Sequence, residues 1–177
     1  MSRYRRVANE GGWYFFTVVL ADRSTDLLVK EIDLLRGVYA QVQRKHSFET
    51  AAICILPDHL HAVWVLPEGD DRYPLRWSLI KAGFSRALPV AADRSPSKIA
   101  KRDKGIWQRR YWEHTIRDER DLERHVDDVD YNPVKHGLVA DVADWPHSSF
   151  HRDVRRGIRT PAWRPDAGSF EGYFGEE

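Results

Sequence analysis

Two short apolar runs, TAAICIL (Thr50 to Leu56) and LHAVWVL (Leu60 to Leu66), are joined across Pro57-Asp58. Both are rich in β-branched and aromatic residues, and the break between them carries a turn signal. Runs this close can pair only as an antiparallel hairpin, because a parallel crossover needs a dozen or more residues. The rest of the chain must therefore build around an antiparallel hairpin whose second strand begins with His59 and His61.

Trp13 to Leu20 (WYFFTVVL), bounded by Gly11-Gly12 and Asp22, reads as the first strand. Ser24-Thr25-Asp26 offers a helix cap, and Leu27, Leu28, Ile32, Leu35, Val38 and Val42 recur at helical spacing to about His46. After the hairpin, Pro74 opens a second helix with its apolar stripe on Leu75, Leu79, Ile80, Phe84 and Leu88. Val90 to Gly105 is polar, basic and loop-like, and Ile106 to Ile116 alternates as a fourth strand. Asp118 to about Lys135 is a third helix with acids in its first turn and Gly137 as C-cap. Beyond Trp145 the chain is aromatic, basic and irregular, and no internal repeat is visible.

The order β-α-β-β-α-β, with a helix appended, predicts an α+β fold of the split βαβ kind: an antiparallel sheet with helices on one face and an appended C-terminal tail. The first and third strands would be central, and the histidines would lie on the open face of the sheet. We expect one domain over residues 1–177, with a core over about 11–140 and a tail over about 145–177.

The net charge of +1 conceals a segregated distribution. Arg3, Arg5 and Arg6 open the chain, and Arg152, Arg155, Arg156, Arg159 and Arg164 crowd its end. Residues 94–110 carry Arg94, Lys98, Lys101, Arg102, Lys104, Arg109 and Arg110 against Asp103 alone. Such segments suit phosphate backbones, although each alone also reads as a solvated loop. Within Trp107-Gln108-Arg109-Arg110-Tyr111-Trp112 cations interleave with aromatics, the composition that stacks unpaired bases. Alternation permits only one side of that run to be buried. The single Cys54, inside an apolar run, reads as a buried strand residue and excludes an internal disulfide. No stretch approaches the length of a membrane span, and the N-terminus lacks the apolar core of a signal peptide, so the expected location is cytoplasmic.

A His-x-His pair on a strand aims both imidazoles at one point, which is a metal-binding geometry. Two imidazoles leave a divalent ion open to a third side chain and a substrate oxygen. Asn132 is a candidate third ligand, since an amide oxygen suits Mg²⁺ or Mn²⁺; it also reads as a capping or turn residue before Pro133.

The segments LPDHLHAVWVLPEGD, YPLRWSLIKAGFSRAL, GIWQRRYWEHTIRDERDLERHV and YNPVKHGLV closely resemble the REP-associated tyrosine transposases, within the single-tyrosine HUH transposases of bacterial insertion sequences. The resemblance runs from about Tyr14 to Gly157. It implies a ferredoxin-like sheet that binds single-stranded or hairpin DNA, with a divalent ion, Mg²⁺ or Mn²⁺, on His59, His61 and Asn132. It further implies DNA transposition through a helix tyrosine that attacks the scissile phosphate, leaving a 5′-phosphotyrosine and a free 3′-hydroxyl. Arg3, Arg5, Arg6, Trp107, Gln108, Arg109, Arg110, Lys135, Arg155 and Arg156 are the expected DNA-binding residues. Relatives leave both a monomer and a homodimer open.

The chain departs from this pattern at the nucleophile. The family tyrosine lies four residues before the Asn of the Asn-Pro motif, and that position is Asp128; the position two before the Asn, commonly His, is Asp130. Two readings follow. Either Tyr131 is the nucleophile of a nicking and joining enzyme, or the chain is a catalytically inactive hairpin-DNA-binding protein derived from a transposase. A third class, a metal hydrolase using His59, His61 and Asp128 or Asp130, leaves the basic segments unexplained.

Overall fold

The computed structural model describes residues 12–165, so Arg3, Arg5 and Arg6 lie outside the described residues. Four strands, β1 (Trp13–Val19), β2 (Glu49–Ile55), β3 (His59–Val65) and β4 (Trp112–Thr115), form one antiparallel sheet in the order β2-β3-β1-β4. The expected α+β class and antiparallel sheet are therefore present, with the first and third strands at the centre. The register pairs Val19 with His59 and Thr17 with His61. The hairpin closes with Leu56 N–H donating to the His59 carbonyl at 2.9 Å.

The connections α1 (Leu27–Lys30), α2 (Ile32–Lys45) and α3 (Tyr73–Arg86) all pack on one face. Their apolar stripes meet alternate strand residues, Phe16 and Val18 from β1 and Leu60, Ala62 and Trp64 from β3, as the two-residue period of a strand requires. At the centre Trp64 and Trp77 stack at 4.2 Å, and the Trp64 indole N–H donates to Tyr39 at 2.7 Å. Arg76 is buried at 2% exposure. It donates to the His46 and Ser47 carbonyls at 3.0 and 2.8 Å and to both oxygens of Asp70 at 3.1 and 2.8 Å, tying α3 to the start of β2.

The expectation of helices on one face needs correction. The helix α5 (Glu119–Lys135) covers the opposite face, packing Leu122, Val126 and Val129 against Phe15, Ala52, Cys54 and Val63. The sheet alternates apolar residues to both sides, so each side needs a cover. His59 and His61 consequently lie between the sheet and α5, at 3% and 0% exposure, and not on an open face.

Four further elements differ from expectation. The fourth strand is confined to Trp112–Thr115, with Trp107 joining the sheet only through an isolated bridge to Leu20. The first helix is interrupted at Glu31, and the basic 90–105 segment contains a short helix, α4 (Pro96–Ala100), capped by Ser95. The tail contains α6 (Phe150–Arg155), and the residues before it cover the β2 edge: Ile55 N–H donates to the His147 carbonyl and Ser149 N–H to the Ile53 carbonyl, at 2.9 and 2.8 Å. Pairing the outer strand in this way removes a bare edge.

Candidate metal and nucleic-acid site

The helix α5 starts at Asp118, whose carboxylate accepts the Asp121 N–H at 2.9 Å, and ends at Gly137, whose φ of 68° is the left-handed conformation that a C-terminal glycine supplies. Along its inner side Asp121, His125, Asp128 and Asn132 follow one another at spacings of four, three and four residues, and the exposed His136 follows four residues on, just past the end of the helix. Helical geometry puts them on one seam. Asp121, His125, Asp128 and Asn132 are buried, so this polar seam faces protein, and it runs toward the β3 histidines.

There His59, His61 and His136 bring one ring nitrogen each within 4.8 Å of one another. The His59 ring centroid is 5.0 Å from that of His61 and 5.0 Å from that of His136. His59 Nδ1–H donates to Asp58 at 2.7 Å, and His61 Nδ1 is hydrogen-bonded to the Thr17 hydroxyl at 2.9 Å. Both Nε2 atoms and both side-chain polar atoms of Asn132 are buried, and among the described residues no hydrogen bond of ordinary geometry reaches them, although Asn132 lies close enough to His61 to act on it. Buried nitrogens held in this way, with the other ring nitrogen anchored, form the donor set a divalent metal takes. Burial pushes His61 well below the usual imidazole range; the neighbouring His59, His136 and Lys135 add to this, while Asn132 pulls the other way. Burial also lowers His59, against the pull of Asp58. Both rings are therefore neutral at pH 7, the form that binds metal. The residues fit a divalent ion with imidazole and amide-oxygen ligands.

His136 was not singled out from the sequence. The available signal was its position four residues after Asn132, which puts both on one helical face. Thr17 was also missed; it is found only through the pairing of β1 with β3.

Asp128, at 2% exposure, lies on the seam, and Lys135 Nζ approaches it at 3.6 Å. Tyr131 is half-buried and turned by about 100° from Asn132, since each residue advances a helix by that angle. It flanks the face on which Asp128 and Asn132 lie. Asp130 points away from the histidines, where Arg159 Nε meets it at 3.1 Å and Arg159 Nη2 meets Asp127 at 2.5 Å. Burial pushes the Asp130 carboxyl up to about 7, with Arg159 pulling it down. Neither Asp128 nor Asp130 is among the groups that converge on the histidines as a metal cluster.

The basic residues separate. Trp107, at 5% exposure, packs edge-to-face on Phe84 at 5.5 Å and is a core residue, which removes it from base stacking. Arg109 and Arg110 are exposed, Gln108 is half-buried, and the accessible aromatic is Trp112 at 37% exposure. Arg155 and Arg156 are exposed at the end of α6, beside the β2 edge. The two basic groups thus lie at opposite edges of the sheet.

Comparison with known proteins matches this architecture over nearly its full length. A curated relative from Haemophilus influenzae is 51% identical over 164 residues, covering 92% of this chain and 93% of its own. A second, from Escherichia coli K12, is 44% identical over 170 residues, covering 96% and 95%. Both bear the name of one family. The chain belongs to the REP-associated tyrosine transposases. The solved structure of a REP-associated tyrosine transposase bound to a REP hairpin superposes with a TM-score of 0.77 at 42% identity, covering 99% of this chain and 100% of that one. No family model matches the chain. Among the described residues no helix is long and apolar enough to cross a membrane.

Proposed function

We propose that this REP-associated tyrosine transposase binds hairpin DNA with its single-stranded flank, holds Mg²⁺ or Mn²⁺, and nicks and rejoins the strand through Tyr131. The observation that carries the metal part is the convergence of two buried Nε2 atoms on β3 with Asn132 and His136 at the end of α5. The hairpin follows from the relative that binds one at 42% identity.

His59, His61 and Asn132 hold the ion, with His136 as a fourth candidate ligand. Three imidazoles favour the softer Mn²⁺ over Mg²⁺. When bound, the ion supplies Lewis-acid stabilisation to a non-bridging phosphate oxygen. The chain supplies the rest. The Tyr131 oxygen attacks phosphorus, the bond to the 3′-oxygen breaks, and that oxygen leaves with a proton as the free hydroxyl. The resulting 5′-phosphotyrosine conserves the phosphodiester energy for rejoining, so no nucleotide is consumed. Attack from Tyr131 requires α5 to turn toward the histidines. Pro133, which gives no N–H to the helix ladder, weakens the last turn where that rotation would occur.

A second reading is favoured by one observation. The family's nucleophile position holds Asp128, a buried carboxylate beside Lys135, and a carboxylate cannot form a phosphotyrosine. On this reading the chain binds the hairpin without cutting it.

End-labelled hairpin DNA incubated with wild-type protein or Tyr131→Phe, with Mn²⁺ or with EDTA, tests both on a denaturing gel. A covalent protein–DNA band that needs Tyr131 and is abolished by EDTA is the expected result. Hairpin-specific binding with no covalent band in either protein would leave only the second reading.

A further inference from the structure

The outer strand β4 pairs with β1 and sets His114 opposite Phe15. Side chains paired across two strands share a face. Phe15 packs under α5, so His114 faces the same helix. The first two turns of α5 present Asp121 and His125 to it, four residues apart on one side of the helix. His114 Nε2 lies 2.8 Å from Asp121 Oδ2, and the His114 and His125 rings stack at 4.6 Å. One side-chain donor atom from each of the three lies within 4.8 Å of the other two.

The surroundings hold these donors as a metal shell requires. His125 Nδ1–H donates to the Asp121 carbonyl at 2.7 Å, which leaves the lone pair of the ring on Nε2. Ligating imidazoles are commonly anchored through the other nitrogen in this way. Burial lowers His125, with Asp121 opposing and His114 and Arg124 adding to the shift, so the ring is neutral at pH 7. Phe15 packs on the His125 ring at 4.8 Å, and Trp112 lies parallel to the His114 ring at 5.9 Å. The Arg117 N–H fixes Asp121 Oδ2 at 3.0 Å. The Arg117 guanidinium reaches the same oxygen at 3.4 Å, from a side chain that is 76% exposed and able to swing away. Donors 2.8 Å apart, each about 2.1 Å from a shared ion, subtend about 85° at it. Zn²⁺ accepts that angle because it has no geometric preference of its own. The side chains of Asp121 and His125 are 8% and 0% exposed, whereas that of His114 is 24% exposed and leaves an entry path.

We propose that His114, Asp121 and His125 hold a divalent transition metal, Zn²⁺ by preference, in a second site that fastens β4 to the start of α5. Seven residues separate His125 from Asn132, about 10 Å along the helix, so this ion is distinct from the one at the β3 histidines. On binding, the hydrogen bond between His114 Nε2 and Asp121 Oδ2 gives way to shared ligation, and the His114 ring proton passes through solvent to Nδ1. Mn²⁺ lies at the bottom of the divalent affinity order and Zn²⁺ near its top, so Zn²⁺ competes better with that hydrogen bond. Water completes the shell from the exposed side of His114.

The test counts zinc per chain after equilibrium dialysis of EDTA-treated protein against buffered Zn²⁺. Wild type should retain two ions and His114→Phe one. His61→Ala, which removes the β3 site from the count, should retain one, and His61→Ala/His114→Phe about a tenth of that or less. At free Zn²⁺ ten times the dissociation constant, the melting temperature of His61→Ala should rise by about 3–6 °C, and that of the double variant should not move. Equal zinc in proteins that differ only at His114, or none in His61→Ala, overturns the second site. A wild-type count of one that falls to none in His114→Phe removes the β3 site and leaves this one standing. Phenylalanine keeps the stack on Trp112. Should circular dichroism show that it disturbs the metal-free fold, Asp121→Asn takes its place, with zinc affinity expected to fall at least about tenfold and unchanged affinity overturning the site.

Discussion

Replacing Thr17 by Val tests whether the sheet orients the metal ligand. Thr17 is 3% exposed, and its hydroxyl lies 2.9 Å from His61 Nδ1. For His61 to present a lone pair at Nε2, its proton must sit on Nδ1 and be donated to Thr17 Oγ1. Valine keeps the shape and removes that acceptor. Loss of an outer-shell partner of this kind typically lowers metal affinity by about 10- to 100-fold, or about 1.4–2.8 kcal/mol. The metal-free protein also loses a buried hydrogen bond and leaves an imidazole N–H unsatisfied, which costs about 1–3 kcal/mol. In a domain of this size that lowers the melting temperature by about 2–12 °C. The assay is isothermal titration of Mn²⁺ into the EDTA-treated, desalted wild-type and Thr17→Val proteins, with a thermal melt of each. A variant that melts lower but binds Mn²⁺ as tightly as wild type would show that Thr17 supports the fold without orienting the ligand. No heat of Mn²⁺ binding in wild type would refute the metal site itself.

Acidification from pH 7.5 to pH 5 should destabilise the metal-free protein, read as a lower urea midpoint. His59, His61, His125 and His147 are held below the usual value of 6.5, so the unfolded chain takes up more protons as pH falls through 6.5. Asp130, raised to about 7, acts in the opposite direction over the same window and reduces the loss. A midpoint that rises on acidification would contradict the burial of these rings. Arg76→Met should cost about 1–3 kcal/mol, because it leaves the His46 and Ser47 carbonyls without their donor, while Asp70 keeps Arg72. A loss below about 1 kcal/mol in urea unfolding would show that solvent replaces those bonds. Saturating Mn²⁺, at about a hundred times its dissociation constant, should stabilise the wild type by about 2.7 kcal/mol, and His61→Ala should abolish that gain.

Local pattern made much of this protein legible. Alternation and turn residues placed the first three strands, and the Pro57-Asp58 break between two apolar runs imposed an antiparallel hairpin with His59 and His61 at the head of its second strand. The His-x-His spacing fixed a common direction for both rings, since side chains two apart on a strand share a face. The Asp118 cap and Gly137 bounded α5 correctly, because capping chemistry is local.

Tertiary structure decided what covers each face and what meets what across the chain. Asp121, His125, Asp128 and Asn132 form a polar seam, yet α5 packs it against the sheet. The charge of those residues says nothing of their burial, which depends on where a helix more than fifty residues beyond the hairpin docks. The same docking brought His136 to His59, and strand pairing brought Thr17 to His61. In the Trp107 to Trp112 run, alternation recognised that one side would be buried, but only the bridge to Leu20 and the contact with Phe84 made Trp107 core and left its neighbouring arginines in solvent. Sequence thus determined the elements and the direction of the two strand histidines, because those follow from bonds and sterics within a few residues. The third dimension determined the site, because the cluster of His59, His61 and His136 needs groups that only long-range packing brings within reach.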